Sequence, residues 1–74
     1  MPKLYSGPNI VKTLKRAGFD LISQKGSHIK MKGFWAGKLN TVIIPNHKQV
    51  AIGTFQSILN QASMSKNEFE KFVK

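Results

Sequence analysis

Ser27-His28-Ile29-Lys30-Met31-Lys32-Gly33-Phe34 is the stretch that decides how this chain folds. Apolar Ile29 and Met31 alternate with His28, Lys30 and Lys32. That is the period of a strand whose successive side chains leave opposite faces of a sheet. One face is therefore apolar, and the other sets an imidazole in line with two ammonium groups. The flanking sequence supplies partner strands. Phe19 to Gln24 reads as a preceding strand joined through Lys25-Gly26 as a tight turn, and Leu39 to Ile44 as a following one. Pro45 ends the latter, having no N–H to give a ladder. Phe34-Trp35-Ala36-Gly37-Lys38 reads as an irregular hairpin connection. Phe34 is expected in the core, while Trp35 is left open between core and base stacking. The three strands can pair consecutively as an antiparallel meander.

Helices flank the meander. From about Ser6 to Ala17, Ile10, Leu14 and Ala17 recur on one face with Val11 beside them; Ser6 suits the N-cap and Pro8 the first turn. Gly53-Thr54 opens a second helix, on which Phe55, Ile58, Leu59 and Ala62 share a stripe. A short third helix starts at Ser65 with a Ser-x-x-Glu capping box to Glu68, stapled by Met64 and Phe69. The fold class is α+β, in the order α-β-β-β-α with a short C-terminal helix. A three-stranded antiparallel sheet carries both main helices on one face and leaves the other open. This is the architecture of double-stranded-RNA-binding domains, and residues 1–74 read as one domain.

Charge indicates what the open face meets. The chain has 74 residues, with 12 Lys+Arg against 3 Asp+Glu and a formal net charge of +9. No acid lies between Asp20 and Glu68, a span that holds Lys25, Lys30, Lys32, Lys38, Lys48 and Lys66. A surface of one sign suits a polyanion, nucleic acid ahead of an acidic protein, and that ahead of an anionic membrane. The absence of cysteine excludes disulfides, Cys-ligated zinc and a thiol nucleophile. No stretch reads as a transmembrane helix or signal segment, so a cytoplasmic location is the default expectation. The His and carboxylate spacing suggests no metal site, no nucleotide-binding glycine loop is present, and no cofactor is expected.

Lys25-Gly26-Ser27-His28-Ile29-Lys30-Met31-Lys32 is the strongest candidate site. Gly26 lets a phosphate approach backbone amides, with Ser27 beside it. His28 can move protons near neutral pH, as cleavage by an RNA 2′-hydroxyl requires. Lys25, Lys30 and Lys32 can hold phosphates and offset developing charge. The plainer alternative is a solvated histidine between lysines on a non-catalytic RNA-binding module, and a third is a subunit whose basic face docks an acidic protein. His47, the other imidazole, reads as a loop residue hydrogen-bonding backbone after Pro45 rather than as a second catalytic group. The second proton transfer has no evident owner.

The residues together resemble the HicA-type toxins, small messenger-RNA interferases of toxin–antitoxin pairs. The resemblance runs from about Leu14 to Phe69. It rests on Ala17-Gly18-Phe19, Lys25-Gly26-Ser27-His28, Val42-Ile43-Ile44-Pro45-Asn46-His47, the helix Gly53-Thr54-Phe55-Gln56-Ser57-Ile58-Leu59-Asn60-Gln61-Ala62, and Ser65 to Phe69. It implies a double-stranded-RNA-binding-like fold and the toxin role in a type II toxin–antitoxin system. It further implies metal-independent endoribonuclease activity on mRNA with the catalytic histidine at His28, and a HicB-type antitoxin covering the active face. Two positions depart from the family. Ser63 stands where a glycine usually follows Gln-Ala, which implies a changed helix cap. Gln49-Val50-Ala51 replaces the acidic residues often found before the Gly-Thr helix.

Overall fold

A computed structural model of the chain describes residues 4–73, leaving 1–3 and 74 of the expected single domain outside that range. The elements are α1 (Gly7–Arg16), β1 (Asp20–Lys25), β2 (His28–Trp35), β3 (Lys38–Pro45), α2 (Ile52–Ala62) and α3 (Lys66–Glu70). They follow the expected α-β-β-β-α order with the short C-terminal helix. Helix α1 begins where Ser6 Oγ accepts from the Asn9 N–H at 3.1 Å, a side-chain N-cap, with Pro8 in the first turn. Helix α3 begins with the complete capping box: Ser65 Oγ accepts from Glu68 N–H, and Glu68 Oε1 accepts from Ser65 N–H at 2.8 Å.

The sheet is antiparallel in the order β1-β2-β3, so the alternating strand lies in the middle. Ile29, Met31 and Gly33 of β2 and Asn40, Val42 and Ile44 of β3 are buried beneath the helices. They join one core with Ile10 and Leu14 of α1, Phe55, Ile58, Leu59 and Ala62 of α2, and Phe69 of α3. Gly33 continues the apolar parity without a side chain because the ring of Phe19 occupies that place; a Cβ there would overlap the ring. Tyr5, Phe55 and Phe69 form an aromatic triangle with centroids 5.0 to 5.3 Å apart, which seats α3 on α2.

Four expectations are corrected. The β2–β3 connection is a two-residue turn, because Trp35 pairs with Lys38 and Phe34 with Leu39. Ala36 (φ 54°) and Gly37 (φ 77°) both have positive φ, the pattern of the type I′ turns whose twist matches paired strands. Phe34 consequently lies in the ladder with His28's parity, 68% exposed on the open face instead of in the core, whereas Trp35 turns inward to stack edge-on against Phe72 at 5.7 Å. The first turn is Gly26-Ser27, with Lys25 paired to His28, so Ser27 precedes the strand. Phe19 is a core anchor ahead of β1, and β1 itself is exposed throughout, with an irregularity between Leu21 and Ser23.

Ser63 caps α2 in the left-handed region at φ 56°. Its hydroxyl donates to Asn40 Oδ1 at 2.7 Å, while Asn40 Nδ2 donates to the carbonyls of Trp35 (3.0 Å) and Lys38 (2.9 Å). A buried asparagine thus ties the hairpin to the end of α2. Asn40→Ala is expected to lower the unfolding free energy by about 1–3 kcal/mol, since polar groups are left unpartnered; urea denaturation measures it. The Ser65 backbone N–H holds the Glu68 carboxyl below its usual range, with the Ser65 hydroxyl and Lys71 assisting against the effect of burial. A lowered folded-state value means that Glu68 stabilises α3 above the ordinary carboxylate range and ceases to as pH falls through the lowered value. Protection factors of α3 amides against hydrogen exchange should therefore fall in acid, and Glu68→Gln should flatten that dependence.

Candidate active site

The turn before β2 and the exit of β3 meet at one end of the sheet. His28 pairs with Lys25 on one side and Pro45 on the other. The ladder runs one step further, because the Asn46 N–H donates to the Ser27 carbonyl at 2.6 Å. Each partner in that bond adjoins a histidine, His28 in one case and His47 in the other. The loop after β3 is then strapped down by the segment before α1. Gly7 N–H donates to the His47 carbonyl and Val50 N–H to the Tyr5 carbonyl, both at 2.8 Å. Gly7 approaches so closely that a Cβ would overlap the Pro45 carbonyl oxygen.

These contacts enclose a hollow of about 400 Å³, lined by His28, His47, Pro45, Ile43, Thr54 and Gln61 among others. Gln61 also closes the edge of β3, its Oε1 accepting from the Ile43 N–H at 2.9 Å, which sets α2 against the hollow. His28, Pro45 and Ile43 belong to the open face of the sheet, which continues away from the hollow. His28, Lys30, Lys32 and Phe34 follow one another along it, every second residue of β2. At about 3.3 Å per residue they lie roughly 7, 13 and 20 Å from His28 in turn. Beside them across the ladder stand Ser23 and Ile43 at Lys30, Asp20 and Thr41 at Lys32, and Leu39 at Phe34.

Of the candidates, Lys25, Gly26, Ser27 and His28 form one exposed cluster, in which Gly26 takes a positive φ of 58°. Lys30 lies one pleat along. Lys32 is two pleats away, half-buried, and paired across the ladder with Asp20. His47 differs from expectation. Its loop is fixed by backbone groups, and among the described residues its imidazole forms no hydrogen bond and lines the hollow with His28. Sequence reasoning missed Phe34, Thr54 and Gln61. Phe34 was detectable by continuing the alternation one pleat past Lys32; Thr54 and Gln61 carry no local signal. Among the described residues no three His, Cys, Asp or Glu side chains gather as a metal site would require, and no helix is long and apolar enough to cross a membrane.

A three-stranded sheet with helices on one face, and a histidine among lysines at one end of the other, defines the class: a small α+β domain with an exposed cationic site. Residues 7–64 match the family described as HicA toxin of bacterial toxin-antitoxin, and the chain belongs to that family. It is accordingly the toxin of a toxin–antitoxin system, with an antitoxin as its partner. A search of curated proteins finds no match to the chain. The strapped loop gives a direct test of how the site is held. Gly7→Ala should destabilise the fold by about 1–3 kcal/mol through overpacking, and it should shift the imidazole resonances of His47 and His28 more than those of core methyls in Phe69's surroundings.

Proposed function

We propose that this toxin is a metal-independent endoribonuclease that cleaves mRNA in the cytoplasm, with His28 as a catalytic acid or base. The observation that carries the reading is the position of His28, exposed on the open face at the mouth of the hollow and flanked across the turn by Lys25. A 2′-hydroxyl can attack its own phosphodiester when a base takes its proton and an acid protonates the leaving 5′-oxygen. Lys25 and Lys30 hold the scissile and neighbouring phosphates, and the Gly26-Ser27 turn lets a phosphate come close to backbone. Lys32 adds a weaker contact further along, and Phe34 beyond it offers a ring on which an unpaired base can stack.

Several features favour this over double-stranded-RNA binding without catalysis. Helix α2, Ile52–Ala62, has no charged residue to meet phosphates, whereas Lys25 and Lys30 stand beside His28 on the open sheet face. A HicB-type antitoxin would inhibit by covering that same face, its acidic groups meeting a chain of net charge +9. The purified protein should cleave a long single-stranded RNA in EDTA, and His28→Ala should lose at least about 10²-fold in rate while still binding RNA. Equal cleavage by both proteins would remove His28 from the mechanism. RNA binding without cleavage by the unaltered protein would make it a binding module.

A further inference from the structure

Cleavage by a 2′-hydroxyl moves two protons, and His28 in a fixed position can own only one transfer at a time. Resting on the nuclease reading above, we propose that His47 is the second catalytic residue, so that His28 and His47 divide the acid and base roles across one phosphodiester seated in the hollow between them.

Four observations converge on His47. Both imidazoles line the same hollow of about 400 Å³, which is wide enough for a phosphodiester and an adjoining sugar. The ladder fixes their relation: His28 pairs with Pro45, and the Ser27–Asn46 bond carries the pairing one step further. His47 follows Asn46 just beyond the end of β3, at the same end of the sheet as His28. Two imidazoles lining one hollow can approach one phosphate from two sides. The His47 backbone is held by the Gly7 N–H at 2.8 Å, so its side chain projects from a pinned loop while making no hydrogen bond among the described residues. An exposed, unengaged imidazole on a rigid support is what proton transfer requires and what loop stability does not. Finally, the described carboxylates offer no substitute: Asp20 lies at the other end of β1, opposite Lys32, Glu68 is engaged in the α3 capping box, and Glu70 lines a separate hollow with Tyr5 and Ile52.

The step balances with these two groups alone. One neutral imidazole takes the 2′-hydroxyl proton as the 2′-oxygen forms its bond to phosphorus. The P–O5′ bond breaks, and the other ring, as imidazolium, gives its proton to the departing 5′-oxygen. The products are a 2′,3′-cyclic phosphate and a 5′-hydroxyl, and the pair of histidines ends with its protonation exchanged. No metal or co-reactant takes part.

The test uses the full chain, His28→Gln and His47→Gln on two RNA substrates. One is ordinary RNA; the other has sulfur in place of the bridging 5′-oxygen at a single linkage, so that the leaving thiolate needs no acid. On ordinary RNA each variant should lose about 10²-fold or more in kcat. On the sulfur-bridged substrate the variant lacking the acid should recover to within about tenfold of the unaltered protein, and the variant lacking the base should not. Thermal unfolding and RNA affinity close to those of the unaltered protein exclude a folding defect, as expected for an exposed side chain. A His47→Gln protein that cleaves ordinary RNA at the full rate would overturn the proposal while leaving the nuclease reading intact, provided that His28→Gln is inactive. Equal responses of the two variants to the sulfur-bridged substrate would overturn the division of roles. Inactivity of the unaltered protein on both substrates would remove both readings together.

Discussion

Strand β2 is central in the sheet, and its two-residue period commits it to two environments at once. Ile29 and Met31 must enter the core under the helices, which forces His28, Lys30, Lys32 and Phe34 onto the other face. A slip of one residue would drive ammonium groups into an apolar interior and expose the core residues, so the register is strongly specified. The basic face is thus a consequence of the same alternation that stabilises the fold. The open face needs no separate device to stay uncovered, because both main helices have their apolar stripes satisfied on the opposite side.

The end of the sheet is organised by backbone groups. The Ser27–Asn46 bond joins the first turn to the exit of β3, and the Gly7–His47 and Tyr5–Val50 bonds press the loop against the start of α1. Three segments distant in sequence therefore fix the surroundings of His28 and His47 without using either imidazole. Stability and chemistry are separable here: the strap can hold the loop whatever side chain stands at position 47. At the other end of the sheet, Asn40 and Ser63 do the comparable work of fastening the hairpin to α2. Ser63 accepts a left-handed backbone at the end of α2, and its hydroxyl gives that residue a bond glycine would lack.

Much of this was legible in the residues, and the exceptions have local causes. Alternation in β2 and the caps at Ser6 and Ser65 are short-range signals, and they placed the elements and the basic face. Ala36-Gly37 was harder to read, because alanine rarely takes the positive φ that a type I′ turn demands. Once those two residues form the turn, Phe34 and Trp35 fall into the ladder, which puts Phe34 on the open face instead of in the core and turns Trp35 inward. The cluster around His28 was readable because Lys25, Gly26, Ser27 and His28 are contiguous. His47 was not, since its relation to His28 depends on strand pairing and on the strap from Gly7. Thr54 and Gln61 reach the hollow only through the packing of α2 against β3.

Membership in the HicA toxin family and the lysines of the acid-free middle of the chain are joined in this account by a single spatial claim: RNA runs along β2 and enters the hollow at His28. The most direct measurement is a chemical-shift map of the protein titrated with a single-stranded oligonucleotide that is 2′-deoxy throughout and cannot be cleaved by a 2′-hydroxyl. The account predicts that the largest changes cluster at the Gly26-Ser27 turn, Lys30, Phe34 and the loop at His47, with α3 and the part of α2 away from Thr54 and Gln61 unaffected. Changes centred on the helical side of the molecule, with β2 and the hollow silent, would contradict it.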